Sequence, residues 1–178
     1  MKKLFYLVIP AAIGIAMLSS CKSGSTSAGA KKDSVAMPYK AGYSSSWVIS
    51  DSAKNVQAVL QSLKDWEDGK FDNGSAYFAD TVVFELWNGR KLKLNRDSLM
   101  KVGKKDRDSL SSVKIEVEAW DNLHSTDQNK DWVGTWYKET DTYKSGKVDS
   151  AFYQDENEMK NGKIVSVIDE RRKLPKGK

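Results

Sequence analysis

Tyr77-Phe78-Ala79-Asp80-Thr81-Val82-Val83-Phe84 is the stretch of this sequence that decides the fold. From Thr81 to Trp87 the residues are rich in β-branched and aromatic types, which is typical of a β-strand. Asn88-Gly89 follows at once, and this dipeptide is the strongest short-range hairpin signal. Residues 91–94 then alternate lysine and leucine, so we expect them to return as the partner strand.

Helices are predicted on both sides of this hairpin. The apolar residues at helical spacing before it are Val56, Val59, Leu60, Leu63 and Trp66. They predict a helix that begins after Ser50 or Asp51 and ends near Asp68, with Leu60 and Leu63 packed on a sheet. Residues 72–79 suggest a short second helix. A third helix is predicted over 96–107, with Asn95 as its N-cap.

The second half of the chain is predicted to be an antiparallel meander. Val113, Ile115, Val117 and Ala119 alternate with polar residues, as expected of a half-buried strand. Further strands are predicted over 131–142, 148–158 and 164–173, with turns at 143–147 and 160–163. A long helix, a hairpin, another helix and a meander together indicate an α+β fold.

The beginning of the chain has the pattern of an export signal. Lys2 and Lys3 precede an apolar stretch that is too short to span a bilayer, and Leu18-Ser19-Ser20-Cys21 follows. This tetrad resembles the bacterial lipoprotein box. The resemblance implies that Cys21 is lipidated and that the protein is anchored in the bacterial cell envelope. Lys22, in place of aspartate, favours the outer membrane. The alternative is an ordinary signal peptide with a cysteine there by chance.

Composition narrows the function classes. Export to an oxidising compartment combined with a single cysteine excludes an intrachain disulfide. The formal net charge of +5 is carried by interspersed lysines and acids, without an aromatic and basic platform, so we expect no nucleic-acid partner. His124 is the only histidine, which argues against zinc, and no cofactor motif is apparent. The predicted domains are a signal peptide (1–20), a flexible tether (21–46), one folded domain (47–174) and a basic tail (175–178).

The folded part resembles the nuclear transport factor 2 (NTF2)-like superfamily, which includes SnoaL-like cyclases and ketosteroid isomerases. Three stretches carry the resemblance: Asp65–Phe71 at the helix end, Tyr77–Phe84 at the first long strand, and Asn161–Val165 before the last strand. The resemblance implies a cone in which N-terminal helices pack on a strongly curved antiparallel sheet around a cavity. It also implies a homodimer formed through the sheet. A lipocalin-like barrel is the rival fold, and the long helix argues against it.

Candidate site residues follow from that resemblance. Glu85 falls where the isomerases carry their general base, and Asp169 on the last strand could share the same cavity. The alternative without a functional role is that Glu85 is exposed on its strand or paired with a nearby lysine or arginine. Side chains that could line a ligand pocket are Trp66, Trp87, Trp120, Trp136 and Tyr153. They could equally be core and interface packing.

Two functions stay open at this point. The first is non-catalytic binding of a small apolar or amphiphilic ligand, or of an envelope protein. The second is an isomerase-like or SnoaL-like enzyme that uses a pocket carboxylate as general base. A carboxylate buried in a pocket beside a hydrogen-bond donor would favour the enzyme, whereas surface exposure would favour binding.

Overall fold

A computed structural model describes residues 36–71 and 76–174, so the signal stretch and Cys21 lie outside the described residues. The helices and strands belong to the compact unit Tyr39–Lys178. In chain order they are β1 (Trp47–Ile49), α1 (Ala53–Asp68), β2 (Phe78–Glu85), β3 (Lys91–Asn95), α2 (Arg96–Arg107), β4 (Leu110–Trp120), β5 (Leu123–Ser125), β6 (Lys130–Tyr143), β7 (Val148–Lys160) and β8 (Lys163–Lys173). None of the helices within these ranges is both long and apolar enough to cross a membrane.

One mixed sheet holds all eight strands. Their order is β1-β5-β6-β7-β8-β2-β3, and β4 also pairs with β6. All neighbours are antiparallel except β2 and β8, which run parallel. The sheet is therefore mixed. Register shifts in the β4·β6 and β7·β8 pairs mark bulges, which bend and twist a sheet.

The α+β class predicted from the sequence is confirmed, and so are most element boundaries. Gly69 ends α1 in the left-handed conformation at φ 70°, and Asn95 caps α2 by accepting a hydrogen bond from the Ser98 amide. The predicted short helix over 72–79 is wrong at its end, since Phe78 and Ala79 belong to β2. β-branched and aromatic neighbours there favour the strand.

The core lies between α1 and the sheet. Its buried side chains are Ala58, Val59, Val82, Val133, Met159, Ile164 and Val167. The predicted packing of Leu60 and Leu63 is only partly right, because both are half-buried. The face of α1 that is fully buried passes through Asn55, Ala58, Val59 and Asp65 instead. Leu63 borders a cavity, and Leu60 lies in an outer groove beside Trp120.

Residues before the predicted domain start are tied to it. Ser44 and the Ser45 amide both donate hydrogen bonds to the carboxylate of Asp127. The Gln128 side chain donates to the Tyr43 carbonyl, and β1 then pairs with β5. Hydrogen bonds to the domain therefore extend back along the chain at least to Tyr43.

Candidate functional site

A cavity of about 590 Å³ lies between α1 and the inner face of the sheet. This volume is within the usual range for small-molecule sites. Apolar side chains form part of the lining, among them Val59, Leu63, Phe84, Leu110 and Val167. Polar and acidic side chains form the rest, the polar wall, so the cavity offers both apolar and polar contacts to a bound molecule.

Strand periodicity builds the polar wall. Successive side chains on a strand face opposite sides, so every second residue shares a face. Three neighbouring strands contribute such residues to the cavity. They are Tyr137, Glu139 and Asp141 on β6, Tyr153, Asp155 and Asn157 on β7, and Asp169 on β8.

Asp155 is one of two deeply buried carboxyl groups of this wall, together with Glu139. Its side chain belongs to a residue only 9% exposed, and the Tyr137 hydroxyl donates a 2.9 Å hydrogen bond to its Oδ2. Asp169 is its direct neighbour across the β7·β8 pair. Burial, reinforced by the charge of Asp169, raises the pKa of Asp155 to about 7. Burial also raises the pKa of Asp169.

Two tyrosines and an arginine support this carboxyl pair. The rings of Tyr137 and Tyr153 are stacked, with centroids 5.3 Å apart and planes 10° from parallel. Arg171 donates from Nε to the Tyr153 hydroxyl and from a terminal nitrogen to Asp149, both at 2.8 Å. Burial raises the pKa of both phenols, so they stay protonated and Tyr137 acts as a donor to Asp155.

A second acidic pair lies further along β6. Trp66 on α1 donates from its indole nitrogen to Glu139 across 3.2 Å. Burial, and next the charge of Asp141, raises the pKa of Glu139 to about 8. The pKa of Asp141 is also raised, mainly by burial. Burial beside a second carboxyl therefore favours the protonated form of Glu139.

Three of the predicted site residues meet in the cavity. Trp66, Tyr153 and Asp169 all line it. Glu85 does not, which corrects its proposed role as the general base. Phe84 lines the cavity, so its neighbour on the strand faces the other side, where Glu85 forms a 2.7 Å ion pair with Lys91.

The other three tryptophans that were predicted to line the ligand pocket lie outside this cavity, so that prediction is also corrected. Trp87 is 52% exposed with the Arg171 guanidinium above its ring, and Trp120 is 56% exposed at the edge of an outer groove. Trp136 lies on the outer sheet face beside Phe152 and faces away from the side that Tyr137 presents to the cavity.

Sequence reasoning missed Glu139, Asp141 and Asp155, whereas Tyr137 was a possible pocket residue because it faces the opposite side from Trp136. Acidic residues at alternate positions of a strand are normally read as its solvent face. The available signal was the alternation itself, because Tyr137, Glu139 and Asp141 must share whichever face carries the tyrosine ring.

Comparisons with known proteins show the fold of the chain. No protein-family model and no curated protein matches the sequence. An LEH-like epoxide hydrolase of Mycobacterium tuberculosis matches with a TM-score of 0.57 and 13% identity, over 67% of this chain and 83% of that one. An NTF2-like protein of unknown function from Exiguobacterium sp. 255-15 gives 0.55 and 15%, over 66% and 99%.

A candidate polyketide cyclase from Xanthomonas campestris pv. campestris gives a TM-score of 0.54 and 16% identity, over 68% of this chain and 92% of that one. The predicted NTF2-like fold is therefore confirmed: α1 packs on a curved sheet that surrounds a cavity. At these identities the similarity extends to the fold, and proteins of this fold include both enzymes and proteins of unknown function.

Proposed function

We propose that the domain is an enzyme that carries out general acid–base catalysis in its cavity, with Asp155 and Asp169 as the proton-transferring pair. The observation that carries the proposal is the position of Asp155, buried beside Asp169 and hydrogen-bonded to the Tyr137 hydroxyl. This is the environment that favours the enzyme among the two functions left open by the sequence. Asp169 keeps its predicted role, and Asp155 takes the place of Glu85.

The chemistry follows from the protonation of this pair. Two neighbouring carboxyls in a buried site do not ionise together easily, so one holds a proton while the other is charged. A group with a pKa near 7 is well suited to exchange protons at neutral pH. The charged carboxylate can take a proton from a substrate carbon or from water, and the protonated one can donate to a developing oxyanion.

Two reaction classes fit these roles. In epoxide opening, the carboxylate takes a proton from water, the water oxygen bonds to the epoxide carbon, the C–O bond breaks, and the carboxylic acid protonates the leaving oxygen. In enolisation, the carboxylate takes the α-proton and the acid protonates the carbonyl oxygen. The names of two proteins with this fold, an epoxide hydrolase and a candidate cyclase, support testing both.

A second candidate is non-catalytic binding of a small amphiphilic ligand. The observation that favours it is the number of aromatic side chains around the cavity, since such surfaces bind ligands without reacting. They are Trp66, Phe78, Phe84, Tyr137, Tyr143 and Tyr153.

The cellular setting is proposed from the sequence. Lipidation of Cys21 would anchor the protein to the cell envelope, with Lys22 favouring the outer membrane. A homodimer through the outer sheet face would cover Trp136 and Phe152, which lie side by side on that face.

Turnover measurements test the catalytic proposal. The full chain would be offered epoxides, with diol formation as readout, and ketones such as 2-tetralone in D₂O, with α-hydrogen exchange as readout. Both panels should span neutral, cationic and anionic members. We expect Asp155→Asn and Asp169→Asn each to lower kcat/KM by ~10²-fold or more, the usual contribution of a general acid or base.

Glu85→Gln is the matched control, because it removes a carboxylate of the neighbouring surface and should leave turnover unchanged. Absence of turnover across both panels, or wild-type rates in both aspartate variants, would overturn the catalytic proposal. Ligand binding without turnover would support the second candidate.

A further inference from the structure

The ionisable side chains that line the cavity are acidic or phenolic. Five carboxyl side chains line it, and no lysine, arginine or histidine among the described residues does. The five are Asp106, Glu139, Asp141, Asp155 and Asp169. Arg171 is close to this wall, but its guanidinium is already paired with Asp149 and hydrogen-bonded to Tyr153. The cavity lining is therefore acidic, with the charges of Arg171 and Arg107 acting on it from outside, and a cation that enters it would stabilise the ionised carboxylates.

Several carboxyl oxygens at this wall also lack partners. Asp155 is 9% exposed, yet its Oδ1 has no hydrogen-bond partner within the described part of the chain, and the same holds for Oδ1 of Asp141 and Asp169. Buried polar atoms are normally satisfied, so such atoms call for a specific explanation. A ligand with N–H donors would satisfy them, whereas an apolar or anionic ligand would not.

The aromatic part of the wall favours the same kind of ligand. The rings of Tyr137, Tyr153 and Trp66 lie next to the carboxyls, and Arg171 already lies over the ring of Tyr153, while the Trp66 indole N–H donates to Glu139. Aromatic rings attract ammonium groups, and more strongly where water is excluded. Among residues 36–71 and 76–174, no three acidic, histidine or cysteine side chains converge closely enough to hold a metal ion. An organic cation fits this arrangement better than a metal.

We propose that the cavity binds an amphiphilic organic cation, a small molecule with an ammonium group and an apolar body. The ammonium lies beside Glu139 and Asp141, where Trp66 approaches from α1. The apolar body lies on the wall formed by Leu63, Phe84 and Leu110. The inference rests on the proposed function in that it assigns the substrate class of the same cavity.

Three probes of one skeleton and different charge test the inference. They are tyramine as the cation, 4-propylphenol as the neutral isostere and 3-(4-hydroxyphenyl)propanoate as the anion. Isothermal titration calorimetry on the full chain at pH 7.5 would give each Kd. We expect tyramine to bind at least ~10-fold more tightly than 4-propylphenol, which corresponds to about 1.4 kcal/mol. The anion should bind most weakly of the three.

A double variant identifies the groups that recognise the cation. Glu139→Gln with Asp141→Asn removes two carboxyls and keeps an oxygen that can accept the Trp66 hydrogen bond. We expect its preference for tyramine over 4-propylphenol to fall below ~3-fold, while the Kd of 4-propylphenol stays within ~2-fold of wild type. The matched control is Glu85→Gln with Glu116→Gln, two carboxylates that form ion pairs with lysines outside the cavity. The control should keep the full preference.

The outcomes separate this inference from the catalytic proposal. If the neutral probe binds as tightly as tyramine, or if the control loses the preference as much as the cavity variant does, the inference falls, whether or not the enzyme turns over neutral substrates. If tyramine is preferred and the cavity variant alone loses that preference, the inference stands. It then stands even where no turnover is found, and only the catalytic proposal fails.

Discussion

The Tyr137 hydroxyl points at Asp155 from the neighbouring strand and donates to one of its oxygens across 2.9 Å, while the other oxygen of Asp155 has no partner among the residues that the structure describes. Half of the carboxyl is thus held in place and half is left open to the cavity. Such a group has a fixed orientation and a free atom for chemistry, which is what a general acid or base requires.

Removing the Tyr137 hydroxyl should change how Asp155 titrates. The hydrogen bond stabilises the carboxylate, so Tyr137→Phe should raise the pKa of Asp155 further. A hydrogen bond to a charged group contributes about 1.5–3 kcal/mol, which corresponds to roughly one to two pH units. The pH dependence of kcat/KM should therefore move upward by about that amount. An unchanged profile would show that this hydrogen bond does not control the catalytic group.

Stability should fall as pH rises towards neutrality. The pKa of Asp155 is about 7 in the folded chain, whereas that of an unfolded aspartate is 3.8. The pKa of Glu139 is likewise raised from 4.5 to about 8 on folding. The folded state therefore binds more protons in this window, and each such proton lowers the free energy of unfolding by about 1.4 kcal/mol per pH unit. Urea denaturation at pH 5, 6 and 7 would measure the slope.

Asp155→Asn serves as the comparison for that slope. The amide does not ionise, so the variant should gain stability relative to wild type as pH rises from about 4 to 7. If the free energy of unfolding changes with pH in the same way in both proteins over this range, the assignment of a raised pKa to Asp155 is contradicted.

Core substitutions should rank by observed burial and not by the helical stripe read from the sequence. Ile164 is fully buried, and Ile164→Ala should cost about 2–5 kcal/mol of unfolding free energy. Leu60 is half-buried in an outer groove, so Leu60→Ala should cost clearly less. Chemical denaturation of both variants would decide, and a larger loss for Leu60→Ala would show that the groove is covered in solution.

Gly134 is expected to tolerate no side chain. A Cβ there would lie 2.7 Å from Oδ1 of Asp121, the atom that accepts the Gly134 amide hydrogen bond. Gly134→Ala should destabilise the domain by about 1–3 kcal/mol through overpacking. In an Asp121→Ala background the same change should cost less, because the clashing oxygen is gone. Equal costs in both backgrounds would place the strain elsewhere, for instance against Trp136.

The anchor prediction concerns Cys21. Cys21→Ser removes the sulfur that would carry the lipid, so the variant should leave the membrane fraction or keep its signal uncleaved. Cell fractionation with detection of the processed form measures both. A variant that is membrane-bound and processed like wild type would contradict lipidation.

Local signals predicted the elements of this fold well. The β-branched run before Asn88-Gly89 became the β2–β3 hairpin, and Asn95 and Gly69 mark the helix ends that their residue types indicate. These features depend on neighbours along the chain, which the sequence displays directly. The parallel contact of β2 with β8 depends on the path of the whole chain and could not be foreseen in this way.

The site was predicted less well, because it depends on which face of each strand is inside. Glu85 was predicted to face the cavity, but its neighbour Phe84 lines the cavity instead. Consecutive residues of a strand face opposite sides, so an error of one residue reverses the predicted face. In the sequence, Glu139 and Asp141 have the pattern of solvent-facing acids, whereas in the structure both line the cavity. Trp120 and Trp136 were predicted as pocket residues because of their size, yet Trp120 borders a groove beside α1 and Trp136 lies on the outer face of the sheet.

The parallel pairing of β2 with β8 also bears on the order in which the domain can assemble. The β6–β7–β8 meander joins strands that follow one another closely, so it can form from local contacts. β2 follows α1 early in the chain, but its parallel partner, β8, is the last strand of the domain. Contacts between distant parts of a chain slow folding, because a long loop must close before they form. The wall of the cavity that carries Phe84 can therefore be completed only once β8 is present to pair with β2.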